Sequence, residues 1–127
     1  MVAGNGIDII EIERIKSAID RWGPQLLKKI FTDGEIRYSE AKSFSAQHFA
    51  ARFASKEAVL KAFGGNGSSH LRWQDIEILN DPSGRPRVRL LGKARQLKEK
   101  EKIDEIIISI SHTKNHAVAS VVLTRKS

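Results

Sequence analysis

Three side chains have the chemistry to grip a metal ion and a phosphate together: Asp8, Glu57 and Lys61. Asp8 interrupts the apolar run GIDII, where a carboxylate is out of place because Asp is depleted in strands and its neighbours favour burial. Glu57 and Lys61 stand one helical turn apart in FASKEAVLKAFG. From that helix alone they also read as a surface ion pair contributing about 0.2–0.5 kcal/mol, and Asp8 alone reads as a cap for the helix that follows. Taken together they suggest more. Two carboxylates from separate elements, with no His or Cys cluster beside them, are hard oxygen ligands that suit magnesium better than zinc. Magnesium completes its shell with water and phosphate oxygens, and Lys61 would lie against that same phosphate.

The elements that must position these groups are legible in outline. VAGNGIDIIEI alternates as a strand, with Ile7 and Ile9 on one face and Asp8 and Ile10 on the other. From Ile12 the spacing turns helical through Ile15, Ile19 and Trp22 until Gly23-Pro24 punctuates it. QLLKKIF predicts a short helical piece, and TDGEIRYSEA a further one after an Asp-Gly turn. The strongest helix runs from Ser45, a natural N-cap, to Gly64-Gly65. On it Phe49, Phe53, Leu60 and Phe63 form an apolar stripe, and Ala51, Ala54, Ala58 and Ala62 a small-residue face that lets another backbone approach. Its charges, Arg52 with Lys56 and Glu57 with Lys61, fall in the seams between those faces.

Beyond the glycine-rich stretch GGNGSSH the pattern becomes β. WQDIEIL and RVRLLG flank the turn residues NDPSGRP as a hairpin, a basic helix covers roughly residues 93–102, and EIIISISH and HAVASVVL form a second hairpin around Lys114-Asn115. The runs IIISI and AVASVVL read as strands buried on both faces, which in a domain this small calls for a partner to cover them. Helices first and antiparallel strands later predict a single compact α+β domain over residues 1–127, helices packed on an antiparallel sheet.

The 127 residues include no cysteine, which removes disulfides, thiolate metal sites and thiol nucleophiles. The opening segment lacks the features of a signal peptide and no apolar run is long enough to span a membrane, so a cytoplasmic location is expected. Against 15 acidic residues stand 22 basic ones, a formal charge of +7 that attracts polyanions of several classes. A basic nucleic-acid module is one such reading. Against it, the surplus is spread along the chain, aromatic rings are few and no nucleic-acid motif appears. His48, His70 and His116 have no metal-ligand spacing, and GGNGSSH lacks the Lys-Ser/Thr ending of a Walker loop.

GIDIIEIERI, RFASKEAVLKAFG, DPSGRPRVRL and ISISHTKNHAVASVVL, in this order and spacing, resemble the small bacterial class of 4′-phosphopantetheinyl transferases, the holo-[acyl-carrier-protein] synthase family, over essentially the whole chain. The resemblance implies transfer of phosphopantetheine from coenzyme A to a serine of apo-acyl carrier protein, releasing adenosine 3′,5′-bisphosphate, in support of fatty acid biosynthesis. It implies Mg2+ on Asp8 and Glu57, with Lys61 on the coenzyme A diphosphate. Gly64, His112 and Thr113 match further coenzyme A contacts, the last two in the strand-end motif Ser-His-Thr. Arg14 and Arg21, seven apart on one helix face, match positions that meet the acidic carrier protein, and Lys28 and Lys29 extend that patch. No nucleic acid or membrane partner is implied. The family assembles as homotrimers with active sites at subunit interfaces. A coenzyme A-binding scaffold without the chemistry is the remaining alternative, and intact Asp8, Glu57 and Lys61 argue against it.

Overall fold

A computed structural model describes residues 1–65 and 70–126; residues 66–69, the centre of the glycine-rich stretch, lie outside the described residues. Strand β1 (Val2–Glu11) leads into α1 (Ile12–Trp22), α2 (Pro24–Ile30), α3 (Asp33–Glu40) and the long α4 (Ser45–Phe63). A 3-10 turn at Trp73–Asp75 precedes the hairpin of β2 (Ile76–Asn80) and β3 (Pro86–Leu90). Helix α5 (Gly92–Lys100) and a second hairpin, β4 (Glu105–His112) and β5 (His116–Thr124), follow. β5 pairs antiparallel with both β1 and β4, so β1 forms one edge of a three-stranded sheet; β2 and β3 make a separate ribbon. This is the α+β arrangement the sequence predicts.

Several element boundaries differ from expectation: Trp73–Asp75, read as the start of a strand, form the 3-10 turn instead. Asp33 and Gly34 lie inside the first turn of α3 rather than in a turn before it, because Thr32 caps that helix. The Thr32 hydroxyl oxygen accepts from the Glu35 amide at 3.2 Å, and the Glu35 carboxylate accepts from the Thr32 amide at 2.9 Å, a reciprocal capping box. Ser45 is the first helical residue of α4, not its cap; Phe44 precedes it without any side-chain cap. At the other end Gly64 turns the chain at φ 66, a left-handed conformation that glycine adopts without steric cost.

Helix α4 meets the sheet through its small-residue face. Ala54 and Ala58 are fully buried, and β1 opposes them with glycine. A Cβ on Gly6 would stand 2.2 Å from the Ala58 carbonyl oxygen, and one on Gly4 2.2 Å from that of Ala62. Backbone therefore packs on backbone, which brings the edge strand within side-chain reach of α4. Elsewhere on the helix Phe49, Val59 and Phe63 are buried, whereas Phe53 and Leu60 of the predicted stripe are half-buried. Phe49 packs on Phe31 with ring centroids 5.0 Å apart, and Phe53 on Trp73 at 5.2 Å.

Arg52 and Lys56, expected in the seams of α4, are buried instead, at 4% and 0% exposure. A buried cation needs a partner and hydrogen bonds; Lys56 has both, whereas Arg52 has one hydrogen bond and a ring, and its Nε is buried without a partner among the described residues. Arg52 Nη2 donates to Asn80 Oδ1 at 2.7 Å, with the guanidinium over the Tyr38 ring at 4.1 Å. Lys56 Nζ lies 2.7 Å from Glu35 Oε1, both side chains wholly buried, and also donates to the carbonyls of Trp73 and Ile76. Glu35 Oε2 accepts from the Ile78 amide at 2.8 Å. One carboxylate thus ties α3, α4 and β2 together. Burial pushes the Lys56 ammonium below its ordinary pKa, and the Glu35 charge opposes that shift.

The sheet is covered on one face only. Gly4, Gly6, Asp8 and Ile10 of β1 face α4, alongside buried Ala117, Ala119, Val121 and Leu123 of β5. Ile7 and Ile9 point the other way and are 63% and 66% exposed. β4 and β5 are therefore not buried on both faces within the chain: Ile107, Ser109 and Ser120 are exposed, while Val118 and Val122 are half-buried.

Candidate active site at the edge of strand β1

Asp8 is the one acidic residue on the helix-facing side of β1, in register with Ala119. With no bulk at Gly6 to hold α4 away, its carboxylate reaches the flank of that helix. Lys61 Nζ lies 2.9 Å from Asp8 Oδ1 and donates to the Ile7 carbonyl at 3.1 Å. The lysine therefore folds over the sheet edge toward the strand rather than back along its own helix to Glu57. Both groups remain open, with side-chain exposures of 55% for Lys61 and 17% for Asp8.

Glu57 lies one turn before Lys61 and makes no hydrogen bond or ion pair among the described residues. Its carboxyl is nonetheless coupled to the same group. Burial raises its pKa above the ordinary 4.5, the Asp8 charge raises it further, and the Lys61 charge pulls it back. Asp8, Glu57 and Lys61 thus form one electrostatic unit, assembled from two distant segments. A cavity of about 510 Å³ lined by Asn5, Gly6, Ile7, Lys61, Ser120 and Val122 opens beside it.

This donor set fits a magnesium ion. Two carboxylates strain against each other through their charges, and one of them has no cation of its own among the described residues. Those residues gather no group of three or more His, Asp or Glu side chains into a cage. Two protein carboxylates with the remaining positions left to water and phosphate oxygens is the arrangement magnesium favours.

The remaining predicted contacts lie elsewhere. Gly64 closes α4, its amide donating to the Lys61 carbonyl at 3.0 Å. His112 ends β4, two strands across the sheet from β1, which puts it roughly 10 Å away across the sheet at ordinary strand spacing. A single chain does not bring His112 or Thr113 into contact with Asp8 or Glu57. Thr113 Oγ1 accepts from the His116 amide at 3.1 Å and so shapes the β4–β5 turn. Arg14 and Arg21 are exposed on α1, Arg21 over the ring of Trp22 at 5.0 Å from its centroid, and Lys28 and Lys29 are exposed on α2.

Two positioning groups were missed by sequence reasoning. Glu35, which clamps Lys56 beside Glu57, carries a legible signal only for its capping role in TDGE. Gln47, in the first turn of α4, places its amide nitrogen 3.1 Å from His112 Nε2. An amide nitrogen only donates, so that ring nitrogen accepts; nothing in the sequence signals the pairing.

The fold and this carboxylate–lysine edge define a class. Residues 4–121 match the family model described as the 4′-phosphopantetheinyl transferase superfamily, and the chain belongs to that family. Within it, the similar proteins share one name. The chain is 44% identical over 125 residues to the holo-[acyl-carrier-protein] synthase of Geobacter metallireducens, covering 98% of this chain and 99% of that one. It is 42% identical over 123 residues to that of Syntrophus aciditrophicus, covering 97% and 96%. The structure of the Helicobacter pylori holo-[acyl-carrier-protein] synthase in complex with coenzyme A superimposes with a TM-score of 0.82 at 30% identity, over 94% of this chain and 99% of that one.

Proposed function

We propose that this chain transfers the 4′-phosphopantetheine arm of coenzyme A to a serine of apo-acyl carrier protein, leaving adenosine 3′,5′-bisphosphate and supplying holo-carrier protein for fatty acid biosynthesis. The observation that carries the reading is the convergence of Asp8 and Lys61, 2.9 Å apart, with the charge-coupled Glu57 at the β1 edge. The family membership and the full-length likeness to holo-[acyl-carrier-protein] synthases support it.

In this reading Asp8 and Glu57 hold magnesium. The ion, when bound, supplies neutralisation of the diphosphate and its alignment for in-line displacement. Lys61 already places its ammonium beside Asp8, where the diphosphate's negative charge arrives. The serine oxygen forms a bond to the phosphorus bearing pantetheine as that phosphorus loses its bond to the bridging oxygen, and the bisphosphate departs with the electron pair. The serine proton passes to Glu57, whose carboxyl is held above its ordinary value, or to an adjacent water. No covalent enzyme intermediate is needed.

The exposed sheet face supports a homotrimer with its active sites at subunit boundaries. Ile7, Ile9 and Ile107 are 63%, 66% and 51% exposed, with Val118 and Val122 between the edge strands. An apolar face of that kind on a small domain needs cover. A boundary there would let one subunit's carboxylates and another's His112 and Thr113 serve one coenzyme A. Exposed Arg14 and Arg21 suit an acidic carrier protein, with steering that weakens as salt rises. Among the described residues no helix is long and apolar enough to cross a membrane, and we place the enzyme in the cytoplasm. The deciding experiment is mass spectrometry of apo-acyl carrier protein incubated with this protein, coenzyme A and magnesium. The expected result is a phosphopantetheine mass gain that chelator abolishes; no gain with several carrier proteins overturns the reading.

A further inference from the structure

The two sheets leave a slot between them. β3 pairs with β2 alone and β4 with β5 alone, and among the described residues no backbone hydrogen bond joins β3 to β4. A cavity of about 630 Å³ opens there, bordered by Val88 and Leu90 of β3, Ile106 of β4 and one side of α5. The β2–β3 ladder fixes which groups face it. The Asp81 amide donates to the Arg85 carbonyl at 2.9 Å, and the Leu91 amide to the Asp75 carbonyl at 2.8 Å. Bonded and non-bonded pairs alternate along an antiparallel ladder, so Arg87 and Arg89 also bond to β2. Pro86, which has no N–H to give, accordingly falls in a non-bonded pair with Asn80. The amides and carbonyls of Val88 and Leu90 then point away from β2, into the slot. That is an edge with open backbone groups, a template for a further strand.

Charge decides what can join it. Arg87 and Arg89 share one face of β3, and Arg95 and Lys98 of α5 line the same slot. Arg87 pairs with Asp81 at 3.2 Å, Arg89 with Glu77 at 3.3 Å and Arg95 with Glu99 at 3.6 Å, the three guanidinium groups mostly exposed. Ion pairs so open to solvent contribute little and exchange partners. Two copies of β3 paired about Val88 would set Arg87 against Arg89, and like charges directly opposite are unfavourable. An acidic strand is favoured instead, because residues two apart face the same way and would meet both arginines. Asp104 and Glu105, at the start of β4, line the other wall and repel the same carboxylates, which makes β3 the edge that is joined. We propose that an extended acidic segment of another protein, with carboxylates at alternate positions, docks here by adding a strand to β3. The surface shares no residue with the Asp8–Lys61 edge or with Arg14 and Arg21, so its partner is distinct from both substrates of the transfer reaction.

The test is fluorescence polarisation of short labelled peptides with the full chain. A peptide of alternating Glu and Val is expected to bind, and one of alternating Lys and Val is not. With each Glu opposite an arginine, the Glu amides face away from β3 and the Val amides face Val88 and Leu90. N-methylation of the Val residues should therefore abolish binding, whereas N-methylation of the Glu residues should leave it intact. Arg87→Gln/Arg89→Gln, which keeps a donor for Glu77, should weaken the Glu–Val peptide by about tenfold, the loss of two cross-strand charge pairs. Equal effects of the two methylations, or displacement of the peptide by inorganic phosphate but not by chloride at the same ionic strength, would reduce the slot to a site for small anions and overturn strand addition. Failure of the Glu–Val peptide to bind, or equal binding of the Lys–Val peptide, overturns the proposal outright. Binding is read without coenzyme A or carrier protein, so neither result bears on transfer.

Discussion

Helix α4 carries two lysine ion pairs five residues apart, and they are opposites. Lys56 and Glu35 are fully buried, 2.7 Å apart, with the remaining bonding capacity spent on backbone groups of Trp73, Ile76, Ile78 and Thr32. Lys61 and Asp8 lie 2.9 Å apart with side chains 55% and 17% exposed, beside a second carboxylate that has no cation of its own. The buried pair sits where water cannot compete and where losing one partner strands the other. The open pair sits where solvent screens it and where a divalent ion or a diphosphate can replace either member. One pair fixes the helix, and the other is free to exchange partners. Adjacent positions 56 and 57 thus divide the labour: the first fixes α4 against α3 and β2, and the second is left at the open edge with the Asp8 charge.

The largest expected effect is on catalysis at the open pair. Asp8→Asn and Glu57→Gln each remove a charge while keeping the shape. Loss of an electrostatic group acting on the transferring phosphate lowers kcat by about a hundred- to a thousandfold. Folding should be preserved, because an exposed pair contributes only about 0–1 kcal/mol. Steady-state transfer rates beside thermal melts check both halves. A variant that unfolds, or one that retains near-native activity, would erase the contrast between the two pairs.

Lys56→Met reverses the pattern. It leaves the Glu35 carboxylate buried without its cation, which costs about 3–5 kcal/mol, measurable by urea unfolding. The double variant Glu35→Gln/Lys56→Met removes both charges and is expected to recover much of that loss. If the single variant were as stable as the wild type, the buried pair would not be what holds α3, α4 and β2 in place.

Gly6→Ala tests the contact that lets the open pair form at all. The new Cβ would stand 2.2 Å from the Ala58 carbonyl oxygen, a backbone atom that cannot swing aside. Overpacking of this kind costs about 1–3 kcal/mol. The displaced helix should also weaken transfer beyond what its stability loss explains, since Glu57 precedes Ala58. A well-folded, fully active Gly6→Ala variant would show that close approach is not what aligns Asp8 with α4.

The same division explains what the sequence could and could not disclose. Asp8 was conspicuous because a carboxylate among isoleucines breaks a local rule, and Glu57 with Lys61 because helical spacing pairs them. The alanine face of α4 pointed to a close backbone, and Gly4 and Gly6 supply it. Lys56 was misplaced because its partner lies on α3, reached through a turn with no periodic relation to α4. Hydrophobic spacing says which side of a helix is buried; it does not say that a charged residue on that side is matched. The outer sheet face is legible only in part, for a related reason. Runs such as IIISI demand cover, but nothing in their pattern says whether the cover comes from the same chain, and here one face stays open.

The smallest effect distinguishes the two carboxylates themselves. Glu35 is buried with a cation, whereas burial, and after it the Asp8 charge, raise the Glu57 pKa above 4.5. A raised folded-state pKa means that the native chain holds this proton more tightly than the unfolded chain does. The resulting stability is fully present below the ordinary value of 4.5 and is lost as pH rises through the folded value. Melting temperatures of the wild type and Glu57→Gln, both in chelator, should therefore diverge with pH, the wild type losing ground to the variant between mildly acidic and neutral conditions. Magnesium at neutral pH should restore the wild type and leave Glu57→Gln unmoved, because the ion supplies the positive charge that Glu57 otherwise lacks. A gap that moves in the other direction with rising pH would mean that Glu57 already has its own cation, as Glu35 does, and that the two sites are not opposites.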